Sequence, residues 1–358
     1  MEEEERIKFE KGSAFYNPQM RLCRSFSSLA IGAIGEKLGI CDGLSATGIR
    51  GIRYAKENPN AESVDFVDID ETAVKLCRKN KARNKVKGKC FKDDLNSHLM
   101  NRNYDFLELD PFGSPTPHLY FALRSFRRKK SGYLSITATD TAVLCGAHFS
   151  ACLKNYHSRP LHNELCHEAG IRILWKYAAN ISSEFDFGTL PLFSLSHGHY
   201  FKIMLKIERG AKKAVESEKK TGFLTYCPAC GHREAGPIPL PECPLCKKQA
   251  QWAGPLWLGP LHSKSLLRKM GKLNEKRNYS DQGEIAKLLS IMEGEDSFPP
   301  YFFDIHAESR RAGKPSLISV KKAIKKLQEN GFSAARTHFR PTSLKTTAGI
   351  KEFLRALG

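Results

Sequence analysis

The stretch Glu108-Leu-Asp-Pro-Phe-Gly-Ser-Pro-Thr-Pro117 follows the apolar run YDFL, which predicts a short buried strand that ends at a carboxylate. Proline at position 111 favours extended geometry at Asp110 and offers no N–H, so the carboxylate and the nearby carbonyls remain free acceptors. A planar base with an exocyclic NH2 group needs such acceptors, and Phe112 supplies an aromatic face for its ring. The alternative is a plain turn stabilised by prolines. Asp110, Pro111 and Phe112 are our candidate catalytic residues.

The turn CDGLSATGIRG, between a predicted strand and a predicted helix, is rich in small residues. It lacks Gly-x-Gly-x-x-Gly, which argues against a dinucleotide and its pyrophosphate. Small residues, Thr47 among them, would let a ligand without phosphates approach the backbone. Asp68, at the end of the second strand, can accept both ribose hydroxyls, and Asp94, at the end of the third, can take an adenine amino group. These features predict a nucleoside pocket, and S-adenosylmethionine is the common nucleoside cofactor that lacks phosphates.

Two Cys-x-x-Cys pairs, separated by twelve residues, form a metal-binding pattern; they are Cys227 with Cys230 and Cys243 with Cys246. Four thiolates so placed can surround one Zn2+ tetrahedrally, and a closed four-sulfur site is structural because it leaves no open coordination position. The alternatives are a pair of redox-active dithiols, or a decayed site that folds without metal.

A sheet has to position these side chains, and the chain from about Lys37 to Tyr200 alternates apolar runs with amphipathic stretches. That alternation predicts strand–helix units on a parallel sheet. The five strands are predicted in LGICDGL, SVDFVDID, GKCFKDDLN, YDFLELDPF and SGYLSITATD, and each ends in or near an aspartate: Asp42, Asp68, Asp94, Asp110 and Asp140. Because ligands of doubly wound sheets bind beyond the carboxyl ends of the strands, these carboxylates are predicted to ring one crevice. For Asp140 we prefer a cap of the following helix.

After Glu208 the composition changes, and RGAKKAVESEKKTG predicts a linker or a hairpin edge. Beyond the cysteines, SDQGEIAKLLSIMEGE and SLISVKKAIKKLQENG have the apolar spacing of helices, and FSAARTHF alternates like a strand. The polar face of that strand would carry Arg336 and His338, next to Arg340 and Lys345.

The chain is strongly basic, with 57 Lys and Arg against 38 Asp and Glu, a net charge of +19. Residues 209–358 hold 27 of the basic and 14 of the acidic residues, so the back half carries most of the excess. Such a balance predicts a polyanionic partner; the alternative is a solvated basic surface without one.

Cysteine usage and the amino terminus predict a cytoplasmic protein. Seven cysteines are scattered singly at core-like positions, which is typical of a reducing compartment. The start, MEEEER, is acidic where a secretion signal would be basic, and the apolar runs are too short to span a membrane. We therefore expect no membrane association.

The chain resembles a known family in seven ordered sequence blocks. The blocks FYNPQMRLCRS, DGLSATGIRGIRYA, VDFVDID, DPFGSP, ITATDTAVLCGAH, GPLWLGPL and RTHFRPTSLKT occur in this order in the archaeal and eukaryotic tRNA guanine-26 N2-dimethyltransferases. The resemblance runs from about Phe15 to the carboxyl end. It implies an α/β fold, a class I (Rossmann-like) methyltransferase with a doubly wound sheet, a zinc ribbon-like insert and a C-terminal α+β domain.

The resemblance also implies functional residues and a division of the chain. Asp110 looks like the catalytic carboxylate and Phe112 like the base-stacking ring. Cofactor contacts are expected from Arg24, Thr47, Arg50, Asp68, Asp94 and Leu95. We predict a S-adenosylmethionine-dependent methyltransferase domain at 1–210, a linker with the structural zinc site at 211–250, and a basic tRNA-binding domain at 251–358.

The expected macromolecular partner is tRNA, and no protein partner is predicted. RNA contacts are assigned to Arg336, Arg340 and Lys345, with Arg127 to Lys130 as a second patch; for Arg336 and His338 pairing within the domain is the alternative. Two other functions are alternatives. One is a methyltransferase acting on an exocyclic amine of DNA adenine or ribosomal RNA guanine, and the other is a non-enzymatic zinc-ribbon RNA-binding protein.

Overall fold

The structure, a computed structural model, describes residues 1–313 and 318–357. It begins with a hairpin of two short strands, β1 (Glu2–Glu4) and β2 (Ile7–Phe9), and a 3-10 turn at Pro18–Met20. The elements of the next part are α1 (Arg21–Ile34), β3 (Leu38–Gly43), α2 (Ile49–Glu57), β4 (Ala61–Asp68), α3 (Glu71–Arg83), β5 (Cys90–Lys92), α4 (Leu95–Asn101), β6 (Phe106–Leu109), α5 (Thr116–Ser125), β7 (Ser131–Ala138), α6 (Thr141–Leu144), α7 (Phe149–Tyr156), α8 (Cys166–Ser183), β8 (Phe187–His197) and β9 (Tyr200–Arg209).

The central sheet has seven strands in the order β5-β4-β3-β6-β7-β9-β8. Strands β3 to β7 are parallel, and β9 runs antiparallel to both of its neighbours. All five predicted strands are present. The strand order reverses between β3 and β6, which is where a doubly wound sheet opens a crevice beyond its strand ends.

Two hydrophobic cores lie on opposite faces of this sheet. Neighbouring strand residues such as Ile40 and Cys41 belong to different cores, because side chains alternate along a strand. Both faces are covered, so all residues but one are buried in β3 and likewise in β7.

The chain continues with α9 (Ala211–Glu218), β10 (Thr221–Tyr226), β11 (Arg233–Gly236), β12 (Gln251–Trp257), α10 (Lys264–Arg277), α11 (Gln282–Glu295), β13 (Phe303–Asp304), α12 (Ile305–Arg311), α13 (Val320–Glu329), β14 (Ala334–Arg336), β15 (Ser343–Thr346) and α14 (Ile350–Leu357). Helix α9 corrects the predicted linker: Ala214 and Ser217 are buried, so the basic stretch has one packed face. The helix predicted in SLISVKKAIKKLQENG begins at Val320 with Ser319 as its cap, and Ser316 and Leu317 lie outside the described residues.

The predicted boundary at residue 250 falls inside a three-stranded sheet, because β12 pairs with β10. Helix α10 packs on α1, α11 packs on α10, and both helices share the core of α1. A Cβ at Gly32 of α1 would lie 2.5 Å from Arg277 Nη2 and 2.6 Å from Asn58 Oδ1, so α10 approaches where α1 has no side chain. A separate small core is formed only by the last segment, β13 to α14.

No helix in the described part of the chain is both long and apolar enough to cross a membrane.

Candidate active site

A cavity of about 540 Å³ opens beyond the carboxyl ends of β3, β4 and β6. Seven residues predicted as catalytic or cofactor-binding line it: Arg24, Thr47, Arg50, Asp68, Asp110, Pro111 and Phe112. Its volume is in the range that encloses a drug-sized ligand or a cofactor. The crevice expected from the strand order therefore exists, and most of the expected side chains meet in it.

Asp110 directly follows β6 and pairs with the guanidinium of Arg50 through Oδ2. The Asp110 side chain is 22% exposed, so it faces the cavity. Burial acts to raise the pKa of Asp110, but the charges of Arg50 and Lys202 outweigh it and hold the pKa below its usual range. The carboxylate is therefore ionised at neutral pH.

A fully buried pair stands behind Asp110. Glu108 lies on β6 two residues before Asp110, and Arg50 contacts both carboxylates, so the two side chains lie on the same side of the sheet. Glu108 binds the ammonium of Lys202 and accepts a 2.8 Å hydrogen bond from Tyr54 Oη, and Arg50 Nη1 lies 3.7 Å from Glu108 Oε1. Neither Glu108 nor Lys202 was singled out from the sequence, because the two residues are 94 positions apart and pair only across the sheet.

Asp42, at the end of β3, is the third carboxyl group of this cluster. Its Oδ2 accepts a hydrogen bond from Gly51 N at 2.9 Å. The two cations, Arg50 and Lys202, are already balanced by Glu108 and Asp110. Burial, opposed in part by Arg50 and reinforced by the Glu108 charge, raises the pKa of Asp42 to about 7.

The loop after β3 forms the floor of the cavity through an unusual backbone. Leu44, Ala46 and Gly48 all have positive φ, and a Cβ at Gly48 would lie 2.5 Å from Cys77 Sγ. Ala46 N donates to Asp68 Oδ2 at 2.8 Å, and Asp70 N donates to Asp68 Oδ1 at 3.0 Å. Each oxygen of Asp68 thus keeps acceptor capacity for a hydroxyl of a ligand.

Two exposed phenylalanines stand at the mouth of the cavity. Phe112 is 76% exposed, Phe15 is 54% exposed, and their rings meet edge to face with centroids 4.6 Å apart. The turn that carries Phe112 is fixed by two hydrogen bonds between Gly113 and Thr139, at 2.7 and 3.0 Å. The sequence did not single out Phe15; its only signal is an aromatic residue at the start of the FYNPQMRLCRS block.

Arg24 reaches the cavity from α1, but its charge is engaged by the N-terminal hairpin. Its guanidinium forms a bidentate pair with Glu4, which is 3% exposed. Glu4 also accepts a hydrogen bond from Arg53 at 2.9 Å. The hairpin therefore orients Arg24, and the charges of Arg24 and Arg53 lower the pKa of Glu4 against the effect of burial.

The predicted ring of five aspartates forms only in part. Among the described residues, those that line the cavity include Asp42, Asp68 and Asp110 but neither Asp94 nor Leu95. Asp94 is exposed and caps α4 by accepting from Ser97 N at 3.0 Å, and Leu95 is 2% exposed in the core. Asp140 makes no side-chain cap; instead Tyr156 Oη donates to its carboxylate at 2.8 Å, which corrects the expected role.

The four cysteines of the two Cys-x-x-Cys pairs converge, with all sulfurs within 4.8 Å of one another. The loops after β10 and β11 repeat one turn: Gly231 N donates to Cys227 O, and Lys247 N donates to Cys243 O, both at 2.9 Å. Gly231 and Lys247 have positive φ, of 75° and 62°. The two matching knuckles aim their thiols at a common point, which fits a tetrahedral ion.

The predicted RNA contacts separate into exposed and buried residues. Arg336 is exposed, and the Arg340 side chain is 39% exposed. Lys345 is 2% exposed, bound to Glu168 and to Pro299 O, so its assignment to RNA is wrong because its ammonium is already paired in the interior. His338 is likewise buried against Glu295. Arg127 to Lys130 precede β7, at the amino edge of the sheet and away from the cavity.

Comparison with known proteins gives one consistent result. The family model of N2,N2-dimethylguanosine tRNA methyltransferases matches residues 1–358. The tRNA (guanine(26)-N(2))-dimethyltransferase of Thermococcus kodakarensis is 40% identical over 354 residues, covering 93% of this chain and 90% of that protein. The protein of the same description from Methanothermobacter thermautotrophicus is 35% identical over 356 residues, covering 97% and 93%.

A solved structure has the same fold along almost the whole chain. It is Trm1 from Pyrococcus horikoshii in complex with S-adenosyl-L-methionine, with a TM-score of 0.88, 36% identity, and coverage of 98% of this chain and 97% of that one. Together with the seven-stranded sheet, this likeness confirms the predicted class I α/β fold.

Proposed function

We propose a catalytic arrangement for this chain, which belongs to the N2,N2-dimethylguanosine tRNA methyltransferase family and is a S-adenosylmethionine-dependent tRNA (guanine(26)-N2)-dimethyltransferase. Asp110 is the acceptor for the guanine amine, and Phe112 and Phe15 are the faces that hold the base. The observation that carries this assignment is the ionised, partly exposed Asp110 carboxylate at the wall of the cavity.

The cavity fits the cofactor. Asp68 offers two carboxylate oxygens with spare acceptor capacity, suited to the ribose hydroxyls, and the 66% exposed Ile69 beside it offers an apolar surface for a base. Thr47, Arg24 and Arg50 complete the lining, so these residues would hold the cofactor. When bound, S-adenosylmethionine supplies an activated methyl group for attack by a nucleophilic nitrogen.

Asp110 has two tasks during the transfer. The N2 lone pair of guanine is delocalised into the ring and must be freed as the N–C bond forms. A hydrogen bond from the amine N–H to Asp110 stabilises the positive charge that develops on the nitrogen, and the carboxylate then receives the proton. Arg50 binds Oδ2 and fixes the direction of the remaining oxygen.

The target base must leave its stack to reach Asp110, which costs a few kcal/mol. Phe112 and Phe15 are exposed at the mouth of the cavity, where a displaced purine would regain stacking energy. Holding the amine in line is itself a large contribution, on the order of 7 to 11 kcal/mol in the best intramolecular cases.

The experiment that tests this function uses an unmodified tRNA transcript. We expect N2,N2-dimethylguanosine at position 26 after incubation with the protein and S-adenosylmethionine, measured by nuclease digestion and mass spectrometry. A transcript with A at position 26 is the matched control and should stay unmodified. Equal modification of both transcripts, or of DNA adenine or ribosomal RNA alone, would overturn the assignment.

The Cys227, Cys230, Cys243 and Cys246 cluster supports a proposal of one structural Zn2+. Its knuckles are held by backbone hydrogen bonds, and its donor set is complete without a water. We expect a Cys230→Ser variant to lose one zinc per chain by mass spectrometry of metals, and the β10–β12 sheet to exchange its amide hydrogens faster. Unchanged exchange after chelation of the ion would exclude a structural role.

The exposed Arg336 and Arg340 support a tRNA-binding role for the last segment of the chain. All eleven cysteines lie within the described residues and none of them is in a disulfide, which supports a cytoplasmic location.

A further inference from the structure

A second cluster of metal-binding side chains lies outside the active site and the four-cysteine site. Cys145 follows α6, and Cys166 and His167 are the first two residues of α8. Their two sulfurs and one imidazole nitrogen all lie within 4.8 Å of one another. Zinc–sulfur bonds of about 2.3 Å in a tetrahedral site place the two sulfurs about 3.7 Å apart. Side-chain movements of about an ångström would bring the ligand atoms to bonding distance of one ion.

The imidazole of His167 is prepared for a metal. The backbone of Phe339 lies near one ring nitrogen of His167 and favours a hydrogen on that nitrogen. In a neutral imidazole the other nitrogen then keeps its lone pair. A ring N–H that donates to a backbone carbonyl is the usual support of a metal-bound histidine.

A third cluster, His262, Glu295 and His338, shows by contrast why this arrangement matters. Ser194 N donates to His262 Nδ1, and Ser196 N donates to His338 Nε2, each at 3.2 Å. The ring nitrogens that face Glu295 must therefore carry the hydrogens, and neither imidazole offers a lone pair toward the centre of the cluster. The lone pairs of that cluster are therefore used in hydrogen bonds, whereas Cys145, Cys166 and His167 can offer lone pairs to a metal ion.

Access and charge also favour an ion at Cys145, Cys166 and His167. Cys166 and His167 are half-buried and Cys145 is 9% exposed, so the donors can be reached from solvent. Arg340 lies close enough to act on Cys166 electrostatically. Two thiolates neutralise a divalent ion, so the assembled site carries no net charge and is not repelled by that guanidinium.

We propose that Cys145, Cys166 and His167 bind a thiophilic divalent cation, Zn2+, at a site separate from the four-cysteine cluster. Three protein ligands leave one coordination position for water. The site ties the end of α6 to the start of α8, next to the segment around Phe339 that connects β14 with β15. It therefore fixes the turn after α6, which follows β7, against the first turn of α8.

The first test counts metal in the full-length protein after saturation with Zn2+ and desalting. Cys145→Ser and His167→Ala should each bind one zinc per chain fewer than wild type. Cys90→Ser, which changes a half-buried cysteine outside both metal clusters, should bind as much as wild type. The test compares the zinc content of each variant with that of wild type, so its result does not depend on whether the four-cysteine site is filled. Equal zinc in Cys145→Ser and wild type would overturn the proposal.

The second test needs no substitution and so does not depend on the folding of a variant. Alkylation of Cys166 by iodoacetamide, followed by peptide mass spectrometry, should slow at least tenfold when Zn2+ is added to metal-free wild-type protein. The Cys90 peptide reports any general effect of zinc. An alkylation rate of Cys166 that is unaffected by zinc, or a Cys145–Cys166 disulfide in protein purified without oxygen, would show that the pair does not bind metal.

Discussion

Asp110 and Arg50 form the central contact of the active site, because the positive charge of Arg50 keeps the Asp110 carboxyl group ionised. Arg50 is 7% exposed on its side chain and lies between Glu108 and Asp110. The charge of Arg50 keeps Asp110 ionised. The Asp110 carboxylate in turn balances the buried Arg50 guanidinium, whose other carboxylate partner, Glu108, is more distant at 3.7 Å. The pair therefore supports both the chemistry and the shape of the cavity wall.

Replacing Asp110 by Asn should lower kcat by a factor of 10² to 10⁴, because the amide keeps the shape of the side chain but cannot take a proton. Binding of S-adenosylmethionine should change only a few-fold, since the donors and acceptors at Asp68 and the loop after β3 remain. Single-turnover methylation and calorimetry measure the two quantities. The exposed carboxylate Glu62 gives the control, Glu62→Gln, and turnover of Asp110→Asn equal to that control would remove Asp110 from the mechanism.

Asp42 should make stability depend on pH in an unusual direction. Because its folded-state pKa is raised to about 7, the protonated form is favoured in the native state. The stability that Asp42 contributes is present below its unfolded pKa near 4 and is lost as pH rises through about 7. Relative to Asp42→Asn, wild type should lose about 1.4 kcal/mol per pH unit over this range. Urea unfolding at pH 5 and pH 8 measures the difference, and the same difference at both pH values would refute the shift.

Residues beside strand ends could be predicted from sequence, whereas their partners could not. Asp68 and Asp110 each follow a short apolar run, a local signal that fixes their position in the sheet. The pairing of Asp110 with Arg50 spans 60 residues, and the burial of Lys345 depends on Glu168, 177 residues away. A lysine in a polar stretch looks exposed until the fold places a carboxylate next to it.

At the scale of elements, the N-terminal hairpin acts as a brace for α1 and α2. It contributes Glu4, which binds Arg24 of α1 and Arg53 of α2 at once. All three side chains are nearly inaccessible to solvent. Two short strands thereby fix the relative position of two helices that line or support the cavity.

Glu4→Ala should destabilise the protein by about 3 to 5 kcal/mol, the usual cost of removing one partner from a buried ion cluster. Glu3→Ala, one residue earlier and exposed, should change stability by less than about 0.5 kcal/mol. Denaturant unfolding of the three proteins gives the comparison. A small effect of Glu4→Ala would mean that the hairpin detaches without consequence for α1.

Strong apolar periodicity in the sequence predicts a helix or a strand. Helix α9 lacks that periodicity, which explains why the sequence did not predict it. RGAKKAVESEKKTG is rich in charge, and only Ala214 and Ser217 face inward. Such small buried residues give little hydrophobic signal, so composition alone favoured a linker. Packing against β8, where a Cβ at Gly188 would lie 2.6 Å from Lys213 Cβ, makes this helix possible.

For the whole molecule, the excess of positive charge should appear in the binding of tRNA. Each phosphate contact contributes roughly 0.7 to 0.9 to the slope of log affinity against log salt. Arg336→Ala and Arg340→Ala should each reduce that slope by about one. Lys37→Ala is the matched control, because Lys37 is 82% exposed at the amino edge of the sheet, opposite the cavity. Filter binding between 50 and 200 mM salt measures the slopes, and equal slopes for all four proteins would place the RNA elsewhere.

The core that α1 shares with α10 and α11 has a consequence for how the protein is made. Leu22, Phe26 and Leu29 of α1 share a core with Leu266, Met270 and Ile285. On the ribosome these early apolar side chains emerge more than two hundred residues before the helices that cover them. The apolar face of α1 therefore stays exposed in the nascent chain for most of its synthesis. A chain truncated before residue 264 should aggregate and should not fold into a smaller enzyme.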